Sequence, residues 1–251
     1  MKLVAAFLRL IRILNLLFIV ITQSLFQYFI VVPMFRNNEV SPALSPGLFI
    51  LLSLSSVLIA AAGYIINDYF DLNIDRINKP GRIVVERIIK RRWAILWHWL
   101  LSFAGVVIGF YVGWKASVFW IGPSNIACVL ALWGYSTTFK KKLLTGNVLI
   151  SLLTAWVVLI IGFVTHYRMI TERGVYGFAF ASKLLRFTFL YGGFASIICL
   201  IREIVKDIED MHGDAKYGCR TMPIVWGVSV AKVFAGTWLF ILTAALLIVF
   251  A

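Results

Sequence analysis

Seven stretches of this chain are too long and too apolar to fit inside a small water-soluble core. They run over 13–33, 47–66, 93–112, 117–137, 148–166, 184–204 and 229–251. At about 1.5 Å of rise per residue, each covers a hydrocarbon layer of roughly 30 Å as a helix. A backbone inside that layer must satisfy its own hydrogen bonds, so the runs specify α-helices. The fold class that follows is all-α, a polytopic membrane helix bundle of about seven transmembrane helices. No hydrophilic stretch is left for a separate soluble domain, so residues 1–251 read as one membrane-embedded domain. The first run, Ile13 to Pro33, is longer than the core of a secretory leader and has no small-residue cleavage site, so it reads as a membrane helix. Nothing closes the last run at Phe250 and Ala251, which reads as a short or truncated C-terminus.

The formal charge of +13 would indicate nucleic acid on a soluble protein. Here it reports topology, because lysine and arginine concentrate on the cytoplasmic side of membrane proteins. Of 24 such residues, 18 fall in the N-terminal segment and in the connections after the second, fourth and sixth runs. The other connections hold six. The N-terminus and these connections therefore face the cytoplasm, with membrane lipid around the bundle and no nucleic-acid or obligate protein partner indicated. Trp93, Trp97, Trp99, Trp114 and Trp120, with His98 and His166, lie near the ends of runs and read as interfacial side chains. Cys128, Cys199 and Cys219 lack metal-site spacing and read as unpaired thiols.

Against this background the acids are unevenly placed. There are eleven, and eight fall in two clusters at the cytoplasmic ends of the second and sixth runs. Asp68, Asp71 and Asp75 form the first, and Glu203, Asp207, Glu209, Asp210 and Asp214 form the second. In both, aspartates recur at i, i+3 and i+7, which on a helix brings them onto one face within about 60°. Such like charges repel unless something neutralises them. Mg²⁺ does this well, since it takes one or two carboxylates with water and substrate phosphate oxygens. Two such faces, opposed across a bundle, are suited to holding a metal-bridged diphosphate. Bases lie close by: Arg202 and Lys206 precede the second cluster, Arg76 and Lys79 follow the first, and Lys140, Lys141 and Lys142 lie in a connection on the same side. A departing diphosphate needs such charge. Gly213, Gly218 and Pro223 indicate that the second cluster runs into a structured loop.

These residues resemble the UbiA superfamily of intramembrane prenyltransferases. Asn67-Asp68-Tyr69-Phe70-Asp71-Leu72-Asn73-Ile74-Asp75 matches its NDxxDxxxD motif, and Arg202 to Pro223 its second motif. Tyr135-Ser136 through Phe139-Lys140, then Gly146-Asn147, resemble its YSxxLK…GN stretch. Arg12 and Asn15 resemble its RPxN element, with Ile13 where proline is usual. The second motif has the form found in the digeranylgeranylglyceryl phosphate synthase branch, and related forms occur in enzymes that prenylate homogentisate or esterify chlorophyllide. Gly81 to Arg87 depart from the DRPxPSG stretch common in the family, and the family has nine helices against the seven read here.

The resemblance implies a bundle with a central cavity open to the cytoplasmic side, and a prenyl diphosphate held through Mg²⁺. It implies Asn67, Asp68 and Asp71 on one side, and Asp207 and Asp210 on the other, as metal ligands. Asp75 and Asp214, one turn further along, bind metal or position basic partners. Lys140, Arg202 and Lys206 neutralise the leaving group, and Tyr135 faces the allylic cation. Arg12, Asn15, Lys79 and Asn147 become substrate contacts. The acceptor is then geranylgeranylglyceryl phosphate, giving an ether lipid precursor, or an aromatic ring of the 4-hydroxybenzoate type, giving a quinone precursor. Two other classes compete. A secondary transporter would carry its carboxylates at the bilayer midplane, not at helix ends. A non-catalytic Mg²⁺-binding scaffold would have lost a motif aspartate, and none is lost.

Overall fold

The computed structural model describes residues 2–36, 44–81, 83–173 and 178–250; Arg82 and Ala251 lie outside them. A short amphipathic helix, α1 (Lys2–Leu10), precedes α2 (Ile13–Phe35), which contains one π-helical turn at Gln27–Val31. Then come α3 (Pro46–Asn78), α4 (Arg91–Lys115), α5 (Ile121–Thr137), α6 (Thr145–Arg173), α7 (Phe178–Lys216), the single turn α8 (Met222–Val225) and α9 (Val228–Phe250). Each of the seven apolar runs is helical over most of its described length, the fourth only from Ile121 onward. Six of these helices are long and apolar enough to cross a membrane, and the remaining one, α5, has 17 residues. Among the described residues there is no strand beyond an isolated bridge between Val85 and Ile89.

Start and stop signals follow the local sequence. Ser45 caps α3, its hydroxyl accepting from the Leu48 amide at 3.4 Å, with Pro46 at the first helical position where a missing amide costs nothing. Helix α7 ends at Lys216, and Gly218 at φ 70° lets the chain turn back. The helix therefore continues through Gly213, where the composition predicted a loop.

Small residues allow the helices to approach closely, as expected where lipid supplies no hydrophobic drive between them. Helices α6 and α7 pack along each other around Gly162, where an added Cβ would lie 2.1 Å from Thr188 Oγ1 and 2.7 Å from its Cβ. Thr188 is fully buried and its hydroxyl donates to the Leu184 carbonyl at 2.9 Å, so it has nowhere to move. Gly162→Ala is expected to destabilise the bundle by about 1–3 kcal/mol, the cost of overpacking. Gly193→Ala, with open space around the site, is the control, and thermal unfolding in detergent is the measurement. Helices α3, α4 and α5 are joined by a buried polar knot: Ser55 Oγ donates to the Gly105 carbonyl at 2.7 Å, and Asn125 Nδ2 donates to Ser55 Oγ at 2.8 Å.

Two expectations for single residues change. His98 is 1% exposed, not interfacial; its Nδ1 lies 3.0 Å from the Ala62 carbonyl and its ring packs beside Trp99 and Trp133. Its place on the α4 face that meets α3 explains this, because proximity to a helix end says nothing about which face a residue occupies. Trp93, Trp97, Trp99 and Trp114 are exposed, as an aromatic belt requires, whereas Trp120 is half-buried against the core.

Candidate functional site

Four segments that are distant in sequence meet at one end of the bundle. They are the α1–α2 corner, the α3 end with the segment after it, the α5–α6 connection, and the α7 end with the segment after it. The contacts joining them are polar. Arg12 pairs with Asp68 at 2.7 Å, Lys79 with Asp210 at 2.6 Å, and Lys140 with Asp71. The Arg220 amide donates to the Lys141 carbonyl at 2.8 Å. The segments that carry the excess of basic charge are therefore the ones gathered around the aspartates.

Between them lies a cavity of about 830 Å³. Both aspartate triplets line it, Asp68, Asp71 and Asp75 from α3 and Asp207, Asp210 and Asp214 from α7. Each triplet lies on a continuous helix, so the i, i+3, i+7 pattern places three carboxylates in line, as read from the spacing. Asn67, Arg12, Lys79, Tyr135, Lys140, Asn147, Arg202 and Lys206 also line it. Asn15 does not; it is half-buried on the first turn of α2.

Four of the six aspartates, Asp68, Asp71, Asp207 and Asp210, already have protein partners. Asn67 Nδ2 donates to Asp71 Oδ2 at 2.8 Å, and Asn147 Nδ2 donates to Asp207 Oδ2 at 2.8 Å. Arg12 stays a cation: burial alone would lower its pKa, but the charge of Asp68 and the hydrogen bond to it raise it. Seven acids and six bases line the cavity, so the two signs nearly balance.

Residues without a role in the sequence reading also converge here. Glu203 is 4% exposed; Arg202 pairs with it at 2.7 Å, and Lys206 lies 3.8 Å away. It is the common anchor of the two cations that flank it, and its bases at i−1 and i+3 were the available signal. Arg9 and Glu209 line the cavity, as do Ile83, Val84 and Val85 of the segment after α3. Val84 and Val85 are buried together with Ala6 and Leu10 of α1. Ile83, Val84 and Val85, within the stretch that departs from the family pattern, thus form an apolar wall.

Among the described residues, no three carboxylates, histidines or cysteines converge in the manner of a protein-only metal cage. Mg²⁺ does not need one, because it keeps water and phosphate oxygens and takes only one or two carboxylates. Asn67 supports such a fit: its side chain is 8% exposed and its Oδ1 is buried without a hydrogen-bond partner, while its Nδ2 is given to Asp71. An orphaned carbonyl oxygen beside a carboxylate is a hard-oxygen donor set suited to a divalent cation.

The sequence profile of the UbiA prenyltransferase family matches residues 25–251. The chain belongs to that family. Among its relatives, it is 34% identical over 181 residues to the digeranylgeranylglyceryl phosphate synthase of Pyrococcus horikoshii, covering 72% of this chain and 57% of the relative. It is 30% identical over 186 residues to that of Methanosphaera stadtmanae, covering 74% and 60%, and 33% over 198 residues to that of Methanosarcina mazei, covering 79% and 61%. The chain thus spans about three fifths of the length of these relatives. A solved structure from work on digeranylgeranylglyceryl phosphate synthase in membranes superposes with a TM-score of 0.65 at 26% identity, covering 98% of this chain and 76% of the other. The bundle is accordingly a UbiA-type fold, and the chain is an integral, multi-pass membrane protein.

Proposed function

We propose that residues 1–251 form one prenyltransferase domain that transfers a geranylgeranyl group from its diphosphate to geranylgeranylglyceryl phosphate, with Mg²⁺ as cofactor. The observation that carries this reading is the pair of aspartate faces lining one cavity together with six bases. The named relatives support the lipid acceptor over an aromatic one. The excess of lysine and arginine on the connections at this end supports a cytoplasmic active site and N-terminus.

Asn67, Asp68, Asp71, Asp207 and Asp210 would hold the metal, with Asp75 and Asp214 one turn beyond. When bound, Mg²⁺ draws negative charge onto the diphosphate and weakens the allylic C–O bond. Arg12, Lys79 and Lys140 each hold a carboxylate in the structure. With a divalent cation held by Asp68, Asp71 and Asp210, these three bases would be released to pair with diphosphate oxygens. No buried charge is left unpaired by the exchange, which keeps its cost low. Lys206 and Arg202, anchored by Glu203, add positive charge where the leaving group forms. Tyr135 presents an aromatic ring to the cationic prenyl carbon. The acceptor hydroxyl attacks that carbon as the carbon's bond to the diphosphate breaks, and the hydroxyl proton passes to the departing diphosphate as the ether bond forms. Asn15 and Asn147 complete the proposed substrate contacts, and the apolar bundle keeps water from the cation.

The test uses the purified protein in lipid nanodiscs with radiolabelled geranylgeranyl diphosphate and Mg²⁺. Geranylgeranylglyceryl phosphate and 4-hydroxybenzoate are offered in separate reactions. Ether product that disappears with EDTA supports the reading. Product from 4-hydroxybenzoate alone would replace it with an aromatic prenyltransferase.

A further inference from the structure

The two aspartate faces belong to different helices, so their separation must be set by something. The ion pairs across the cavity are poor candidates, because each uses a carboxylate that a metal would claim. Asn78 is different. It is the last residue of α3 and lies against α7 from the side. Its Nδ2 donates to the Asp210 carbonyl at 2.8 Å, and its Oδ1 accepts from the Gly213 amide at 2.8 Å. One side-chain amide thus grips both a carbonyl and an amide in the turn that joins Asp210 to Asp214. Gly213 makes this possible: a Cβ there would lie 2.5 Å from Asn78 Oδ1 and 2.6 Å from both Cγ and Nδ2. The glycine inside a long helix, unfavourable by propensity, is the seat for this amide. Asn78 does not line the cavity, and its bonds go to backbone, so they survive any exchange of partners among the carboxylates.

We propose that Asn78, seated on Gly213, is a positioning residue that fixes the spacing of the two aspartate faces and thereby sets divalent-cation affinity. The proposal rests on the reading that both faces share one metal-bound diphosphate. The test compares the full chain in nanodiscs with Asn78→Ala, Gly213→Ala and the double variant. Mn²⁺ is titrated by EPR in the presence of inorganic pyrophosphate, hydrogen exchange is followed over 206–216, and the thermal midpoint is recorded as a folding control. Asn78→Ala should weaken Mn²⁺ binding about 10- to 100-fold, the range for groups that orient metal ligands, and should speed exchange over 206–216. Gly213→Ala should do the same by displacing the amide. The double variant should be no worse than Asn78→Ala, because the added methyl no longer meets anything. Wild-type Mn²⁺ affinity and unchanged exchange in the folded single variants would overturn the proposal, and so would additive losses in the double variant. If Asn78→Ala does not fold, Gly213→Ala decides by the same two readouts. If the wild-type protein binds no Mn²⁺ with pyrophosphate, the functional reading fails and with it the metal half of the proposal; the exchange rates then decide the latch alone.

Discussion

Asp68→Ala and Asp207→Ala should each lower kcat/KM for prenyl transfer by about 10³-fold or more, the scale expected when transition-state charge loses its stabilising partner. The two residues come from opposite faces of the cavity and have unrelated protein partners, Arg12 at 2.7 Å for Asp68 and Asn147 at 2.8 Å for Asp207. A shared dependence would therefore arise from the ligand between them. If both hold one metal-bound diphosphate, removing either breaks the same assembly, and the double variant should be little worse than the worse single. Independent roles would instead multiply the two losses. Neither substitution touches the packed core, which runs through Phe26, Phe35, Phe49, Ile121 and Leu184. Asp207→Ala should therefore unfold in detergent near the wild-type temperature, whereas Asp68→Ala, which leaves the Arg12 guanidinium without its carboxylate, should unfold somewhat lower while remaining folded under assay conditions. Initial rates at saturating and limiting geranylgeranyl diphosphate, with Mg²⁺ varied, make the measurement. Wild-type activity in either folded variant would remove that aspartate from the proposed metal site.

The sequence was informative where chemistry is periodic. Apolar length alone placed seven helices, because a membrane leaves the backbone no other option. The aspartate spacing placed six carboxylates on two faces, and charge asymmetry identified the end where they meet. Fourteen of the fifteen proposed site residues line the cavity, Asn15 being the one that does not. What escaped was determined by burial and, in two cases, by contact between helices. Glu203 looked like one more acid in a cluster, yet it is buried and holds Arg202 and Lys206. Gly213 looked like a helix breaker, and its real constraint is the Asn78 side chain on another helix. His98 looked interfacial from its place along α4, but a helix face, and not a helix end, decided its burial. No spacing rule reaches Gly213 or His98, whose partners lie far away in sequence, whereas the bases at i−1 and i+3 of Glu203 were within reach of one.

Lys140→Ala should lower kcat about 10²- to 10³-fold while changing KM for the diphosphate much less. Its ammonium pairs with Asp71, and both side chains are mostly buried, at 10% and 16% exposure. A base so placed contributes most when the bridging oxygen gains charge, which happens in the transition state and not in the bound substrate. Arginine at this position should recover only part of the loss, because its broader planar head cannot occupy a space shaped for an ammonium. The geometry that fixes Lys140 gives an independent check. A Cβ on Gly146 would lie 2.7 Å from Lys140 Cα, 3.0 Å from its amide nitrogen and 3.0 Å from the Phe139 carbonyl oxygen. All three are backbone atoms and cannot rotate away, so Gly146→Ala must shift the 3₁₀ turn Phe139–Lys141 that carries the lysine. The substitution should therefore reproduce a good part of the kcat loss with the charge intact. Combined with Lys140→Ala it should add little, because the group being displaced is already gone. Single-turnover rates at saturating diphosphate separate the chemical step from product release and decide the matter. If Gly146→Ala folds normally and turns over at the wild-type rate, Lys140 does not depend on its present position. Its role would then reduce to neutralising Asp71.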